Sequence, residues 1–320
     1  MAIALYVAIS VVTALVAVMV MVAVLTLRTP AATVNPPPLG VHSAAVPRSP
    51  SRPPVVTTIV VTAPHPAIPS TDICMDTLQS LVTHAPELTT SPHRVVVTCD
   101  GARVEGDGSH LDGRCRTPID IATYAEYVAR LRRDVAALLP HARVVTAPND
   151  ARGCLTTTLK RAMDTWALPP DVTHVNVMQH DLPLVRRLPV TALLDVMSRL
   201  PNTVQMVRYA LGSPRGHLEH ARIHCKRADA LRVSTLTDAA TGLTLTQSTM
   251  WSDNNHLASL DHYARRVWPA APPGTFMEHR IMCRPLEDAW AEWGTWTLGG
   301  MDEPSYLRHT DGRNAQPRAV

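Results

Sequence analysis

Phenylalanine and lysine are almost absent from this chain, and cysteines are few. Phe276 is the single phenylalanine, and Lys160 and Lys226 are the only lysines among 30 basic residues, so arginine carries nearly all of the positive charge. This skew is typical of a GC-rich coding sequence and indicates no function by itself. The six cysteines include no Cys-x-x-Cys pair, which argues against a structural zinc ribbon. Their even number permits disulfides in an oxidising compartment without specifying a pairing.

Acidic side chains are missing from the first 54 residues, which contain three arginines. The other 27 basic residues balance the 27 acidic ones, so the net charge of +3 comes entirely from the N-terminal part. A balanced domain lacks the basic surface that nucleic-acid binding requires. Nucleic acid is therefore not an expected partner.

The first 27 residues are the longest apolar stretch of the chain, and residues 2–27 contain no charged side chain. At about 1.5 Å per residue, a helix of this length exceeds the roughly 30 Å hydrocarbon thickness of a membrane. We therefore predict a transmembrane anchor over 1–27. A cleaved signal peptide is the alternative, but its apolar region is usually shorter and follows a basic start. Arg28 follows the span, and the positive-inside tendency would keep that side cytoplasmic, so the orientation stays open.

A proline-rich segment follows the predicted anchor. Residues 28–54 contain eight prolines together with Ser, Ala and Arg, a composition that favours extended chain over packing. We predict a stalk over 28–54, a catalytic domain over 55–313 and a tail over 314–320. An anchor and a stalk before a folded domain are typical of a single-pass type II membrane protein of the Golgi. A virally encoded protein of this kind would have the same features.

Strand-like and helix-like segments alternate from residue 55 onward. This order predicts an α/β fold with a mostly parallel sheet flanked by helices. The β-branched run Val55–Thr62 is the first predicted strand and Arg94–Cys99 the second, and further strands are predicted at 142–146, 173–178, 203–209 and near 243–247. A helix capped by Ser252 or Asp253 is predicted to continue through Leu257, Leu260, Ala264 and Val267.

Polar side chains collect where the first four predicted strands end. In an open parallel sheet, ligands bind beyond the carboxyl ends of the strands, so these residues are expected to line one edge. In chain order they are Pro64, Asp100, Asn149 and the run Gln179-His180-Asp181.

This order of features resembles that of the family-2-like glycosyltransferases of the GT-A fold, over about residues 55–185. The resemblance implies a Rossmann-like GT-A sheet and a nucleotide-sugar donor, with Asp100 against the uracil or ribose and Pro64 and Asn149 in the donor-binding loops. It implies Mn²⁺ or Mg²⁺ at Asp181, bridging the two phosphates. Gln179 stands where the Asp-x-Asp motif of the family has its first carboxylate.

The same resemblance extends to the C-terminus and to the partners. His309 lies where many such enzymes place a further metal-binding histidine. The implied acceptor is a glycan, a glycoprotein or a glycolipid, and the implied location is a membrane. A metal in such a site takes most of its oxygens from phosphate and water, so one protein carboxylate is sufficient.

An inverting transfer needs a carboxylate that accepts the proton of the acceptor hydroxyl. Asp253 and Glu278 are the two candidates. Trp251, two residues before Asp253, resembles an aromatic platform for a sugar, whereas a packed aromatic beside a helix cap explains the same residues without a function. A salt bridge to an arginine is the corresponding alternative for Glu278.

Three further interpretations stay open. Arg208, Arg215, Arg222 and Arg227 are candidates to contact the diphosphate, although solvent exposure is the ordinary role of each in an arginine-rich chain. A zinc-dependent hydrolase would use the helically spaced His217, His220 and His224 with Cys225, although no His-Glu-x-x-His arrangement is present. A non-catalytic surface or envelope protein with a transferase-like fold would bind a glycan without transferring a sugar.

Overall fold

The computed structural model describes residues 53–63, 69–100, 121–146, 155–167, 169–225, 233–272 and 274–310. The predicted anchor, nearly all of the predicted stalk, Pro64 and Asn149 lie outside these residues. Within them, no helix combines the length and the apolar character needed to cross a membrane.

The strands of the described chain fall into a longer N-terminal set and a shorter C-terminal set. They are β1 (Val55–Thr62), β2 (Arg94–Cys99), β3 (Arg143–Thr146), β4 (Val172–Gln179), β5 (Met206–Arg208), β6 (Thr235–Thr237), β7 (Thr244–Gln247), β8 (His256–Ser259) and β9 (Thr295–Leu298). The predictions at 142–146, 173–178 and 243–247 are confirmed to within a residue or two, whereas the predicted strand at 203–209 is shorter than expected.

Helices of very different length connect these strands. They are α1 (Asp72–His84), α2 (Ile121–Leu138), α3 (Leu155–Ala162), α4 (Val190–Arg199), α5 (Pro214–His224), α6 (Leu260–His262), α7 (Trp268–Ala270), α8 (Met277–Ile281), α9 (Arg284–Glu287) and α10 (Trp290–Trp293). A π-helical turn extends α3 over Met163–Ala167, another joins α6 to α7 over Tyr263–Val267, and a 3₁₀ turn covers Pro86–Thr89.

The described strands form one sheet in the order β3-β2-β1-β4-β8-β5-β9-β7-β6. Strands β1 to β4 pair in parallel, as predicted. From β8 onward the pairing is antiparallel, except between β5 and β9. The predicted α/β class with flanking helices is confirmed, but the sheet is mixed rather than mostly parallel.

The prediction of a helix that starts at Ser252 or Asp253 is wrong over its first part. Residues 256–259 form β8, which lies antiparallel between β4 and β5, with Val177 opposite His256. His256 is fully buried in this central position, where the strand gains hydrogen bonds on both sides. The helix begins only at Leu260, where the Ser259 hydroxyl accepts the His262 N–H at 3.1 Å.

Strand β1 shows why the sheet is covered on both faces. All eight of its residues are buried. Val56 and Val60 belong to the core that contains the apolar faces of α1, α2 and α4, whereas Ile59 and Val61 belong to the core on the opposite face. A continuous apolar run rather than an alternating one is the expected pattern for a central strand with helices on both sides.

Candidate functional site

The carboxyl ends of β1, β2 and β4 lie level at one edge of the sheet. Thr62 is opposite Cys99, and Val61 is opposite Gln179. Asp100 and the turn after Gln179 therefore leave the same edge, separated by two strand spacings, or about 10 Å. The predicted position of both groups at one edge agrees with this register.

Asp100 is a buried carboxylate with donors around it. Its Oδ1 accepts a hydrogen bond from the Thr158 hydroxyl of α3 at 2.9 Å, and its backbone N–H donates to Thr62 at 2.8 Å. The Tyr124 hydroxyl of α2 donates to its backbone carbonyl. These contacts fix Asp100 between two helices at the strand end.

Asp181 lies in the turn that follows β4. The His180 N–H donates to the Val61 carbonyl at 3.0 Å, which extends the β1–β4 pairing up to this turn. The Asp181 Oδ1 is buried and has no hydrogen-bond partner among the described residues. A buried carboxylate oxygen without a partner costs free energy, so this oxygen is available to a donor or a metal ion.

His309 reaches Asp181 because the C-terminal segment runs antiparallel to the chain that follows the turn. The Val185 N–H donates to Tyr306 at 2.9 Å, and the Thr310 N–H donates to the Asp181 carbonyl at 3.0 Å. As a result, His309 Nε2 lies 3.6 Å from Asp181 Oδ2. The structure thus brings together the two predicted metal-binding residues from positions far apart in the sequence.

The carboxylate of Asp181 and the imidazole of His309 are the two side-chain groups that could bind a metal at this turn. In the described part of the chain, no three His, Cys, Asp or Glu side chains converge to hold an ion on their own. A hard divalent cation accepts most of its ligands from phosphate and water oxygens, so two protein donors fit a cation that binds together with a diphosphate. The unpartnered Oδ1 of Asp181 supplies the required free oxygen.

Gln179, which departs from the expected carboxylate, has a local partner that requires an amide. Its Nε2 donates to the backbone carbonyl of Asp253 at 3.1 Å, and its backbone N–H donates to Asn255 Oδ1 at 2.8 Å. A carboxylate at position 179 has no proton to donate to that carbonyl and would face the buried Asp253 acid. The glutamine therefore connects the end of β4 to the loop before β8.

Asp253 and Glu278 come together next to the buried Arg208. Asp253 is buried, and its burial together with the nearby Glu278 raises the pKa of its carboxyl well above the usual range. Glu278 is half-buried, and its Oε1 accepts the Ser252 hydroxyl at 2.8 Å. The two candidate bases therefore lie in one part of the structure, where the hydroxyl of Ser252 connects Glu278 to the loop that carries Asp253. We refer to them as the carboxylate pair.

Arg208 at the end of β5 is the charge that this pair faces. Its side chain is buried, and its Nε has no hydrogen-bond partner within the described part of the chain. Burial lowers the pKa of its guanidinium to about 10, although the nearby Glu278 and Asp253 favour the charged form. The expectation of solvent exposure is thus wrong for Arg208, whereas Arg215 and Arg222 are exposed. Arg227 lies outside the described residues.

His217, the first histidine of the predicted zinc site, contacts Arg208 of this cluster. His217 Nδ1 lies 2.6 Å from Nη1 of Arg208, and burial, followed by the Arg208 charge, holds the His217 pKa well below its usual range. Cys225 is bonded to Cys283 in a disulfide, so it offers no thiolate. His220 and His224 remain exposed on α5 with ring centroids 4.2 Å apart. The structure does not assemble the zinc site.

Trp251 is not a platform for a sugar, and Asp253 is not a helix cap. Trp251 is fully buried in the core and has no ring face open to a sugar, so the packed aromatic is right. Asp253 precedes a strand and caps no helix. Sequence reasoning missed the roles of Arg208 and Asn255; the position of Arg208 at a predicted strand end was a signal, but the many arginines hid it.

Comparisons with known proteins give little guidance. No family model matches the chain, and no curated protein matches it by sequence. Among solved structures, mouse xyloside xylosyltransferase 1 in its apo form is similar over 66% of this chain and 69% of its own, with 11% identity and a TM-score of 0.35. The 4-diphosphocytidyl-2C-methyl-D-erythritol synthase from Anaerococcus prevotii DSM 20548 is similar over 79% and 93%, with 7% identity and a TM-score of 0.36. Scores this low carry no argument about fold or function.

Proposed function

We propose that this chain is a glycosyltransferase that moves a sugar from a nucleotide-sugar donor to a glycan, glycoprotein or glycolipid. The observation that carries the proposal is Asp181, whose buried Oδ1 has no partner among the residues that the structure describes and whose Oδ2 lies 3.6 Å from His309 Nε2. Asp100 leaves the same sheet edge two strand spacings, or about 10 Å, from the strand that ends in this turn. In this arrangement Asp100 binds the nucleoside, and the Asp181 turn binds the diphosphate.

Asp181 and His309 would hold Mn²⁺ or Mg²⁺ together with the diphosphate oxygens. When bound, the cation stabilises the negative charge that develops on the leaving diphosphate. Carboxylate donors suit both ions, whereas an imidazole donor favours transition metals, so Mn²⁺ is the ion that fits this pair better. The backbone contact of Thr310 with Asp181 keeps the imidazole and the carboxylate adjacent before any ligand binds.

We assign the proton transfer to Asp253 and Glu278. Asp253 is buried and keeps its proton to higher pH than an ordinary aspartate, because burial and the neighbouring Glu278 disfavour its charge. Glu278 is the more exposed member, and the Ser252 hydroxyl orients it. Glu278 is therefore the base that accepts the proton of the acceptor hydroxyl, and Asp253 is its protonated neighbour.

The proposal is tested with the full-length chain by thermal shift with UDP, GDP or CDP, with and without Mn²⁺. We expect one nucleotide to stabilise the protein only with Mn²⁺, and Asp181→Asn to abolish this effect. Asp302→Asn, which removes an exposed partner of Arg215, is the matched control and should behave as wild type. If no nucleoside diphosphate shifts the wild-type protein with Mn²⁺, the proposal fails.

A nucleotide-sugar panel then separates the enzyme from a non-catalytic glycan-binding protein. The transferase should hydrolyse one nucleotide sugar slowly in the absence of acceptor, with a rate that depends on Mn²⁺. The Glu278→Gln variant should bind the same nucleotide normally and lose transfer. Binding without hydrolysis or transfer for any donor would favour the non-catalytic protein.

We also propose that the folded domain faces an oxidising compartment, as in a type II Golgi protein. The Cys225–Cys283 disulfide supports this placement, since disulfides persist in such compartments and are rare in the cytosol. Protease protection of the domain in intact microsomes tests the orientation. Digestion of the domain from the cytosolic side would overturn it.

A further inference from the structure

Asn255 holds both sides of the Asp181 turn with one side chain. Its Oδ1 accepts the Gln179 N–H at 2.8 Å, and its Nδ2 donates to the Leu182 carbonyl at 2.7 Å. The amide has an acceptor oxygen and a donor nitrogen on one carbon, so a single side chain makes both hydrogen bonds. Asn255 is fully buried, and its own carbonyl accepts the Tyr209 N–H at 2.8 Å, so the side chain is held in place from β5.

A second amide closes the connection in the opposite direction. Gln179 Nε2 donates to the carbonyl of Asp253 at 3.1 Å, two residues before Asn255. We call these three hydrogen bonds of Asn255 and Gln179 the amide bridge. It joins the turn that carries Asp181 to the loop that carries Asp253, and it spans the boundary between the parallel strand β4 and the antiparallel strand β8.

We propose that Asn255 is a positioning residue that sets the geometry in which Asp181 meets a metal ion. This inference rests on the proposed function, because it concerns the same cation. The Asp181 carboxylate lies next to the imidazole of His309. The backbone of the Asp181 turn is held at two points, because Thr310 donates to the Asp181 carbonyl and Asn255 donates to the next carbonyl. Groups that orient a ligand without touching the metal often change its affinity by about 10–100-fold when removed.

Asn176 provides a matched control for a purely structural role. It lies on β4 three residues before Gln179 and is fully buried. Its side chain also makes two hydrogen bonds, donating to Thr58 at 3.2 Å and accepting the Tyr209 hydroxyl at 2.7 Å. It does not contact the Asp181 turn through either of these bonds. Alanine at either position removes a buried amide, but only Asn255→Ala removes two of the three hydrogen bonds of the amide bridge.

The first experiment measures how the full-length chain binds UDP at fixed concentration as Mn²⁺ is titrated, with GDP and CDP as parallel arms. Asn255→Ala should raise the Mn²⁺ concentration at half-saturation about tenfold or more. Asn176→Ala should leave this concentration within about twofold of wild type, although both variants unfold at lower temperature. Equal midpoints for the two variants would overturn the positioning role.

A second experiment needs no ligand and separates failure of this inference from failure of the proposed function. Amide hydrogen exchange should accelerate at the Gln179 N–H in Asn255→Ala, because this N–H loses its acceptor, and it should not accelerate in Asn176→Ala. If the alanine variant does not fold, Asn255→Leu keeps the branched shape of the buried side chain and removes the same acceptor, so exchange should still rise at Gln179. Unchanged exchange overturns the inference, whereas faster exchange in a protein that binds no nucleotide overturns only the transferase proposal.

Discussion

The two halves of the sheet hold charge at the same edge in different ways. In the parallel half, β1 to β4, the buried Asp100 accepts from the neutral hydroxyl of Thr158. In the mixed half, β5 to β9 with the loops between them, the buried Arg208 faces Asp253 and Glu278, and His217 is held neutral beside it. The first half keeps one acid with polar donors, whereas the second gathers charges of both signs.

The mixed half therefore bears the larger free-energy cost of burying charged groups. Moving charged groups out of water costs free energy, and their mutual attraction offsets this cost only partly. A buried cluster of charged groups is therefore weak evidence for a stabilising role and stronger evidence for a functional site. The parallel half, in contrast, offers the ordered frame on which the Asp100 and Asp181 positions depend.

The largest expected effect is the loss of the buried guanidinium. Arg208→Met leaves Asp253 and Glu278 without their cation, so we expect the free energy of unfolding at pH 7 to fall by about 3–5 kcal/mol in urea denaturation. The control from the parallel half is Arg94→Met, which removes a half-exposed ion pair with Asp171 and should cost less than about 1 kcal/mol. Similar losses for both variants would mean that the two halves do not differ in this respect.

The disulfide has the second largest expected effect, and both of its cysteines lie in the mixed half. Cys225 and Cys283 are 58 residues apart, and closing a loop of this length restricts the unfolded chain by about 4 kcal/mol in the chain-entropy account. Reduction should therefore destabilise the wild-type protein by about 2–4 kcal/mol in urea unfolding. Cys74→Ala, which removes a buried free thiol from the parallel half, should stay equally sensitive to reductant, and Cys225→Ser should become insensitive.

A pH effect of intermediate size follows from Asp253. Its pKa is raised in the folded protein, so between about pH 4 and that pKa the folded chain holds a proton that the unfolded chain has released. Stability contributed by this group is present below the unfolded value and is lost as the pH rises. Asp253→Asn should remove a slope of up to about 1.4 kcal/mol per pH unit and leave the protein more stable at neutral pH. Parallel pH profiles for variant and wild type would contradict the raised pKa.

The smallest effect concerns the parallel half. Thr158→Val removes the hydroxyl that donates to Asp100 and should cost about 1–2 kcal/mol, because the buried carboxylate loses a donor. Thr83→Val, on the exposed surface of α1, is the matched control and should cost less than about 0.5 kcal/mol. A loss in Thr158→Val no greater than in its control would show that water replaces the hydroxyl at this edge.

Local pattern was sufficient for the parallel half. The β-branched runs of β1 and β2 and the polar residues after β2 and β4 were visible in the sequence, because parallel strands with crossovers keep strand ends at one edge. The pattern failed at β8. The apolar residues from Leu257 to Val267 have helical spacing. Residues 256–259 nevertheless form β8, because a strand between β4 and β5 makes hydrogen bonds on both of its sides. Tertiary pairing thus overrides the local preference for a helix.

By itself, the sequence determined the α/β class, the succession of the first four strands along the chain and the presence of Asp100 and Asp181 at one sheet edge. Only the tertiary structure decided which distant residues meet there. His309 reaches Asp181 through the backbone pairing of the C-terminal segment, and Arg208 meets Asp253 and Glu278 because β5 and β8 lie side by side. Such contacts depend on strand pairing over long separations, and no local periodicity records which strands become neighbours.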